Sequence, residues 1–212
     1  MFELNDIKYE NILDIKHLKF EKGKINVITG PSGGGKSTLL KMLNKMISPT
    51  SGSIIYNGRN LDLVPSLDLR REVSMLSQTP IILGETIEDN LKIAFQFQSR
   101  TIPTKEEMTK ILTDVKLNKK LEDEARSLSG GEKQRLSLAR ILLLSPEVFL
   151  LDEPSSMLDK DTEDFILNFL SKFAENTHKT IIMVTHSPEV AAKYAQTLTH
   201  ISEGKIKELD NE

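Results

Sequence analysis

Nine residues, Gly30 to Thr38, read GPSGGGKST and fit the pattern G-x-x-x-x-G-K-[ST], with Gly30, Gly35, Lys36 and Ser37 in the fixed places. The pattern acquires meaning only between a strand and a helix. Lys24-Ile25-Asn26-Val27-Ile28-Thr29 reads as a short strand, and Ser37-Thr38-Leu39-Leu40-Lys41-Met42-Leu43 as the helix. Glycines let successive backbone N–H groups turn inward and hold phosphate oxygens with no side chain in the way. The helix that follows presents the positive end of its dipole to the same anion. Gly30, Pro31, Ser32, Gly33, Gly34, Gly35, Lys36, Ser37 and Thr38 thus form a cradle. In it Lys36 is the cation for the terminal phosphates and the Ser37 hydroxyl a magnesium ligand. The implied ligand is a nucleoside triphosphate with Mg2+.

A second glycine motif, LSGGEKQR, runs from Leu128 to Arg135. Ser129, Gly130 and Gly131 precede a helix expected from Glu132 to about Leu144, ending before Pro146. That makes a second bare helix N-terminus and a second anion site. One chain with one nucleotide has no need of two cradles. A two-fold dimer resolves this, with each nucleotide on one subunit's Lys36 loop and under the other subunit's Ser129 loop.

Val148-Phe149-Leu150-Leu151 is an unbroken apolar run, as in a strand buried on both faces, and Asp152 and Glu153 follow it directly. In open parallel sheets ligands bind beyond the carboxyl ends of strands. Asp152 suits magnesium, and Glu153 suits accepting a proton from an attacking water. A solvated acidic loop is the ordinary reading of Asp-Glu, but the preceding apolar strand argues against it. Gln78 ends the strand Val73–Ser77 and could ligate magnesium or position water. His186 ends the buried strand Thr180–Thr185 and could donate to a γ-phosphate.

Elsewhere, residues 2–28 read as antiparallel strands with a turn at Glu21–Lys24, and Ser53–Tyr56 as a strand closed by Asn57-Gly58. Ile87, Leu91, Ala94 and Phe95 mark one helix face. Thr104–Glu107 is a capping box before Met108, Ile111, Leu112 and Val115. Phe165, Phe169 and Phe173 share a face of a later helix, and Leu198–Ile201 with Ile206–Leu209 reads as a hairpin around Gly204. The expected fold is α/β: a P-loop core over about 1–78 and 145–212, carrying an antiparallel β subdomain, with a helical subdomain inserted over about 79–144.

The 212 residues suffice for one domain with a sizeable core. Basic and acidic residues number 28 and 31, with no basic stripe, which disfavours nucleic acid as a partner. With no cysteine there are no disulfides and no thiolate metal sites. No apolar run reaches about 20 residues, and Met1–Asp6 lacks a leader pattern, so a cytoplasmic protein is expected.

Taken in order, GPSGGGKST, Gln78, LSGGEKQR, VFLLDEP, SSMLD and His186 resemble the ATP-binding-cassette (ABC) ATPases over nearly the whole chain. The resemblance implies that Tyr9 stacks on adenine and that Gln78 lies in the loop joining the core to the helical subdomain. It implies that Ser155 to Asp159 cross the dimer interface, with Asp159 as the polar contact. Met157 stands where the family most often has Ala. The family's transporters dock a polytopic membrane permease beside the Gln78 loop, where Ile81, Ile82, Leu83 and residues to Phe97 would line a groove, the alternative for each being that it fills the core of the helical subdomain. Such a chain sits on the inner face of the cell membrane. ITGPSG, ISPTSG and QTP with G-x-T-x-x-D-N-L are similar to the bacterial iron-export type, though much of this is shared with phosphate and amino-acid importers. The alternative is a non-transport ABC ATPase acting as a nucleotide-gated interaction module. Glu153 opposes a non-hydrolysing version of it. The long heptad insertions of repair proteins and the second cassette of translation proteins are missing. Cargo and direction of transport belong to the membrane partner and are not written in these residues.

Overall fold

The computed structural model describes residues 1–207. Its organising element is a six-stranded sheet. The strands β3 (Ile25–Thr29), β6 (Val73–Leu76), β7 (Val148–Asp152), β8 (Thr180–Val184), β9 (Thr197–Ser202) and β10 (Lys205–Lys207) lie in the order β10-β9-β3-β8-β7-β6. All neighbours run parallel except the β9/β10 hairpin. The hairpin expected to reach Leu209 is seen through Lys207, and Glu208 and Leu209 lie outside the described residues.

The apolar runs in β7 and β8 have a direct cause. Phe149 and Leu151 face one core with Ile181 and Met183, while Val148 and Leu150 face the other with Ile182 and Val184. A strand covered on both faces loses the polar alternation of a half-exposed one. One polar residue, Asn26, interrupts β3, and it is only 1% exposed. Its amide donates to the carbonyls of Glu21, Lys24 and Ile181 and accepts from the Glu21 N–H and Thr197 hydroxyl, so it is fully paired.

On one face lies an antiparallel sheet, β2-β1-β4-β5, made of β1 (Phe2–Tyr9), β2 (Leu13–Phe20), β4 (Ser51–Tyr56) and β5 (Arg59–Asn60). Helix α1 (Lys36–Leu43) is packed in the same core through Leu39, Leu40, Met42 and Leu43. The opposite face is covered by α3 (Ile87–Phe97), α4 (Lys105–Asp114), α5 (Gly130–Leu144), α6 (Lys160–Thr177) and α7 (Pro188–Tyr194). Two short helices, α7 and α2 (Ser66–Glu72), were not marked by the sequence pattern, each spanning two turns.

Helix starts follow side-chain chemistry. Thr86 with Asp89, Thr104 with Glu107 and Ser129 with Glu132 each form a reciprocal capping box. Because Ser129 is the cap, α5 begins at Gly130, two residues before the expected Glu132. The G-x-T-x-x-D-N-L segment is likewise a helix start. Thr86 and Asp89 cap α3, and buried Asn90 binds Leu83 N–H and the carbonyls of Gly84 and Thr86.

The phenylalanine stripe of α6 is not its buried face. Ile166, Leu167, Leu170 and Ala174 are buried, Phe169 and Phe173 are half-buried, and Phe165 lies exposed beneath Lys116. Residues four apart drift by about 40° around a helix of 3.6 residues per turn, so such a row leaves the core over three steps.

Phe149 is fully buried on β7 and meets Phe173 edge to face, with centroids 5.6 Å apart. Phe149→Ala is expected to cost about 3–5 kcal/mol of folding stability, read from urea unfolding.

Candidate functional site

The parallel register brings four strand ends to one edge. Thr29, Leu76, Asp152 and Val184 close β3, β6, β7 and β8 there, and Gln78, Glu153 and His186 follow within two residues of those ends. A cavity of about 330 Å³ opens at this edge. Its walls are Ile12, Ser32 to Thr38, Gln78, Glu153, Val184 and His186.

The loop from Gly30 to Gly35 is shaped by close approach. Gly30 has φ 138°, and a Cβ there would stand 1.8 Å from the Ile201 carbonyl oxygen. At Gly35, with φ 95°, a Cβ would stand 2.5 Å from the Leu13 side chain. Lys36 folds back over the loop, its ammonium donating to Gly30 O at 2.9 Å and Pro31 O at 2.7 Å. An ammonium has three protons, so one remains for a phosphate. Burial lowers its pKa, against the opposing pull of Glu153 and Asp152.

Ser37 donates to Asp152 Oδ1 at 3.0 Å, joining the start of α1 to the end of β7. Mg2+ takes one or two protein oxygens and fills its shell from phosphates and water. Ser37 and Asp152 fit that demand, with the Gln78 amide on the same wall. Among the described residues no three His, Cys, Asp or Glu side chains cluster to form an all-protein metal cage. Asp152 is only 4% exposed, and burial raises its pKa despite the Ser37 bond and the charges of Lys41, Lys36 and His186.

Glu153 adopts the left-handed region, at φ 53°. Its N–H donates to Val184 O at 3.1 Å, and its carbonyl accepts from the Ser156 N–H at 3.2 Å and hydroxyl at 3.1 Å. This clamp turns the carboxylate into the cavity. His186 Nε2 lies 2.8 Å from Oε1, but no hydrogen bond is aligned on that buried oxygen. Burial raises the Glu153 pKa, opposed by His186 and Lys36 and reinforced by Asp152. A carboxylate on the cavity wall with a raised pKa has the chemistry of a general base toward water.

The remaining candidates lie apart from this cavity. Exposed Ser129 and Gly130, with Gly131, open α5. The Ser129 hydroxyl accepts from Glu132 N–H at 3.3 Å, and the Glu132 carboxylate in turn accepts from the Ser129 N–H at 2.8 Å. Asp159 caps α6 by accepting from Thr162 N–H at 3.0 Å, and that bond holds its carboxyl below the usual range. Tyr9 ends β1 half-buried against the antiparallel layer. It is not a wall of the cavity, where the neighbouring apolar residue is Ile12, which carries no sequence signal.

The expected groove beside Gln78 is differently built. A cavity of about 300 Å³ is lined by Arg70, Met75, Ser77, Ile81, Arg140, Ile141 and Leu144, among others. Of residues 81–97 only Ile81 lines it. Ile82 packs against the core, Ile87, Leu91 and Phe95 lie inside it, and Leu83 and Phe97 are exposed elsewhere. Helix α3 turns its apolar stripe inward because α5 packs on it.

The fold and this edge define a nucleotide-binding ATPase cassette. The family model described as ABC transporter matches residues 13–156. The chain belongs to the ABC transporter family. It is 34% identical to the energy-coupling factor transporter ATP-binding protein EcfA1 of Mycoplasma mobile, over 97% of this chain and 78% of that protein. It is also 34% identical to the methionine import ATP-binding protein MetN of Haemophilus influenzae, over 98% of this chain but spanning only 61% of MetN. The same identity holds with the probable iron export ATP-binding protein FetA of Escherichia coli, over 89% and 86%. A solved dimeric ATP-binding cassette, in a post-hydrolysis state bound to ADP and Pi, superposes with TM-score 0.86 at 26% identity, over 98% of this chain and 97% of that one.

Two outcomes are expected here. Lys36→Ala removes most ATP affinity in isothermal titration, since the triphosphate loses its nearest fixed cation. The rate of hydrolysis falls on acidification through a pKa above the usual glutamate range, because the raised Glu153 carboxyl takes up its proton early. A rate that is flat down to the ordinary glutamate range would contradict the assignment.

Proposed function

We propose that this chain is the ATP-binding and ATP-hydrolysing subunit of a bacterial ABC transporter and works as a homodimer closed by ATP. The observation that carries this is the division of the phosphate-binding groups. Lys36, Ser37, Asp152, Glu153 and His186 gather at one sheet edge, while the Ser129 helix start lies outside that cavity in the same chain. A second copy completes each site if its Ser129, Gly130 and Gly131 close over the nucleotide. The dimeric cassette with ADP and Pi supports that arrangement.

In the closed state Lys36 and the loop amides hold the β- and γ-phosphates. Ser37, Asp152 and Gln78 would hold Mg2+, which when bound would supply charge neutralisation for the phosphates. Glu153 takes the proton of the attacking water, and His186 donates to the γ-phosphate. Tyr9 stacks on adenine in this reading, Asp159 contacts the partner copy, and residues 79–144 act as a helical subdomain. The groove of Arg70, Ile81 and Arg140 receives a polytopic membrane permease, which places the chain on the inner face of the membrane. No helix among the described residues is long and apolar enough to cross a bilayer, so the pathway belongs to that partner.

Export of a metal such as iron is the finer reading, supported by the likeness to FetA. The equal identity to EcfA1 and MetN, and the capping role of the G-x-T-x-x-D-N-L segment, give that cargo no special weight.

Glu153→Gln keeps size and shape but removes the proton acceptor. ATP binding is expected to persist while hydrolysis falls about a hundredfold or more. Gel filtration with ATP and magnesium is expected to show a lasting dimer for the variant and mostly monomer for the parent. Near-normal turnover would move the base to another residue.

A further inference from the structure

Gln134 is a polar side chain that the mechanism above leaves unused. It lies in the second turn of α5 and is only 1% exposed. Its amide Nε2 donates to the Glu153 carbonyl at 2.9 Å, and its Oε1 accepts from the Met157 N–H at 3.1 Å. A buried amide is costly unless paired, and here both of its ends are spent on one loop. A leucine or methionine would fill the same space without that penalty, so the bonds themselves are the distinguishing feature.

The loop it grips is strained. Glu153 is held at φ 53°, a region that residues with a Cβ visit rarely. The Gln134 bond to its carbonyl therefore helps fix the direction of the carboxylate. The other end of the connection is the helix that Ser129 caps. In the proposed dimer that helix start serves the partner's nucleotide, whereas Glu153 serves the chain's own.

We infer that Gln134 is a positioning residue for Glu153 and the rigid link between the two ATP sites of the dimer. Movement of the Ser129 helix start on closing over one nucleotide is passed through Gln134 to the carboxylate at the other. The inference rests on the shared-site reading of the dimer.

The test compares the parent with Gln134→Met, which keeps length and burial but makes neither bond. Gln134→Glu, which keeps only the acceptor for Met157, stands in if the Met variant fails to fold. Steady-state ATP hydrolysis and ATP titration are measured, with the Glu153→Gln protein as the dimerisation control. The parent is expected to hydrolyse ATP with a Hill coefficient above 1. The variant should lose about tenfold or more in kcat, the scale of a misplaced catalytic group. Its ATP affinity should stay within about threefold of the parent's, since ground-state binding is untouched. Its Hill coefficient should fall to 1. A merely structural role would not separate kcat from affinity or remove cooperativity. A dimer in the control, with kcat and Hill coefficient unchanged in the variant, overturns this inference alone. A parent Hill coefficient of 1, or a fall in kcat with cooperativity intact, overturns the link. No ATP-dependent dimer in the control, with the variant unchanged, overturns the shared-site reading as well.

Discussion

The hydrogen bond from Ser37 to Asp152 joins the two halves of the chemistry. Ser37 belongs to the helix that opens at the phosphate loop, and Asp152 ends a strand that begins 112 residues after that helix starts, with α3, α4 and α5 between them. The bond is possible because β3, β8 and β7 are adjacent and parallel, so their carboxyl ends share one edge. The two apolar cores on either side of the sheet hold those ends in place. Packing thus sets the distance between the two oxygens proposed to meet one ion.

Burial then sets the electrostatics. Desolvation acts on Lys36, Asp152 and Glu153 alike and pushes each toward its neutral form. Attraction between Lys36 and the two carboxylates opposes that shift, whereas the charge of Asp152 adds to it at Glu153. For the lysine, two loop carbonyls supply part of the lost solvation. For Glu153 no donor is aligned on the inner carboxylate oxygen. The two groups therefore differ: the ammonium is fixed by the loop, while the Glu153 carboxylate has the His186 ring 2.8 Å from its inner oxygen.

Much of this was legible in residue order. Unbroken apolar runs at 148–151 and 181–184 announced buried parallel strands, and the polar residues after them fell at the cavity because strand ends converge. The glycine pattern specified its own strand and helix. What was not legible depends on three-dimensional packing. Ile12 reaches the cavity through the β1–β2 turn, which no local pattern reveals. The groove wall is assembled from the end of α1, the α2–β6 segment and α5, three separate stretches, while the apolar residues of α3 that suggested it are consumed by the core. The phenylalanine row of α6 marked a helix but not its buried arc, because size and spacing alone do not say which arc of a helix faces the sheet. Short α2 and α7 offer too few turns for a periodic signal.

Glu153 has the backbone geometry of a glycine and the side chain of an acid. Glycine would relax the strain at that position, yet it would abolish the carboxylate. In the role proposed for it above, Glu153 gives up local stability for reactivity at one residue, a trade-off that strained sites can make. A copy that bound nucleotide without turning it over would gain by carrying Gly or Asn there, so on that proposal position 153 is one place where the loss of catalysis would be recorded in a chain that otherwise keeps its fold.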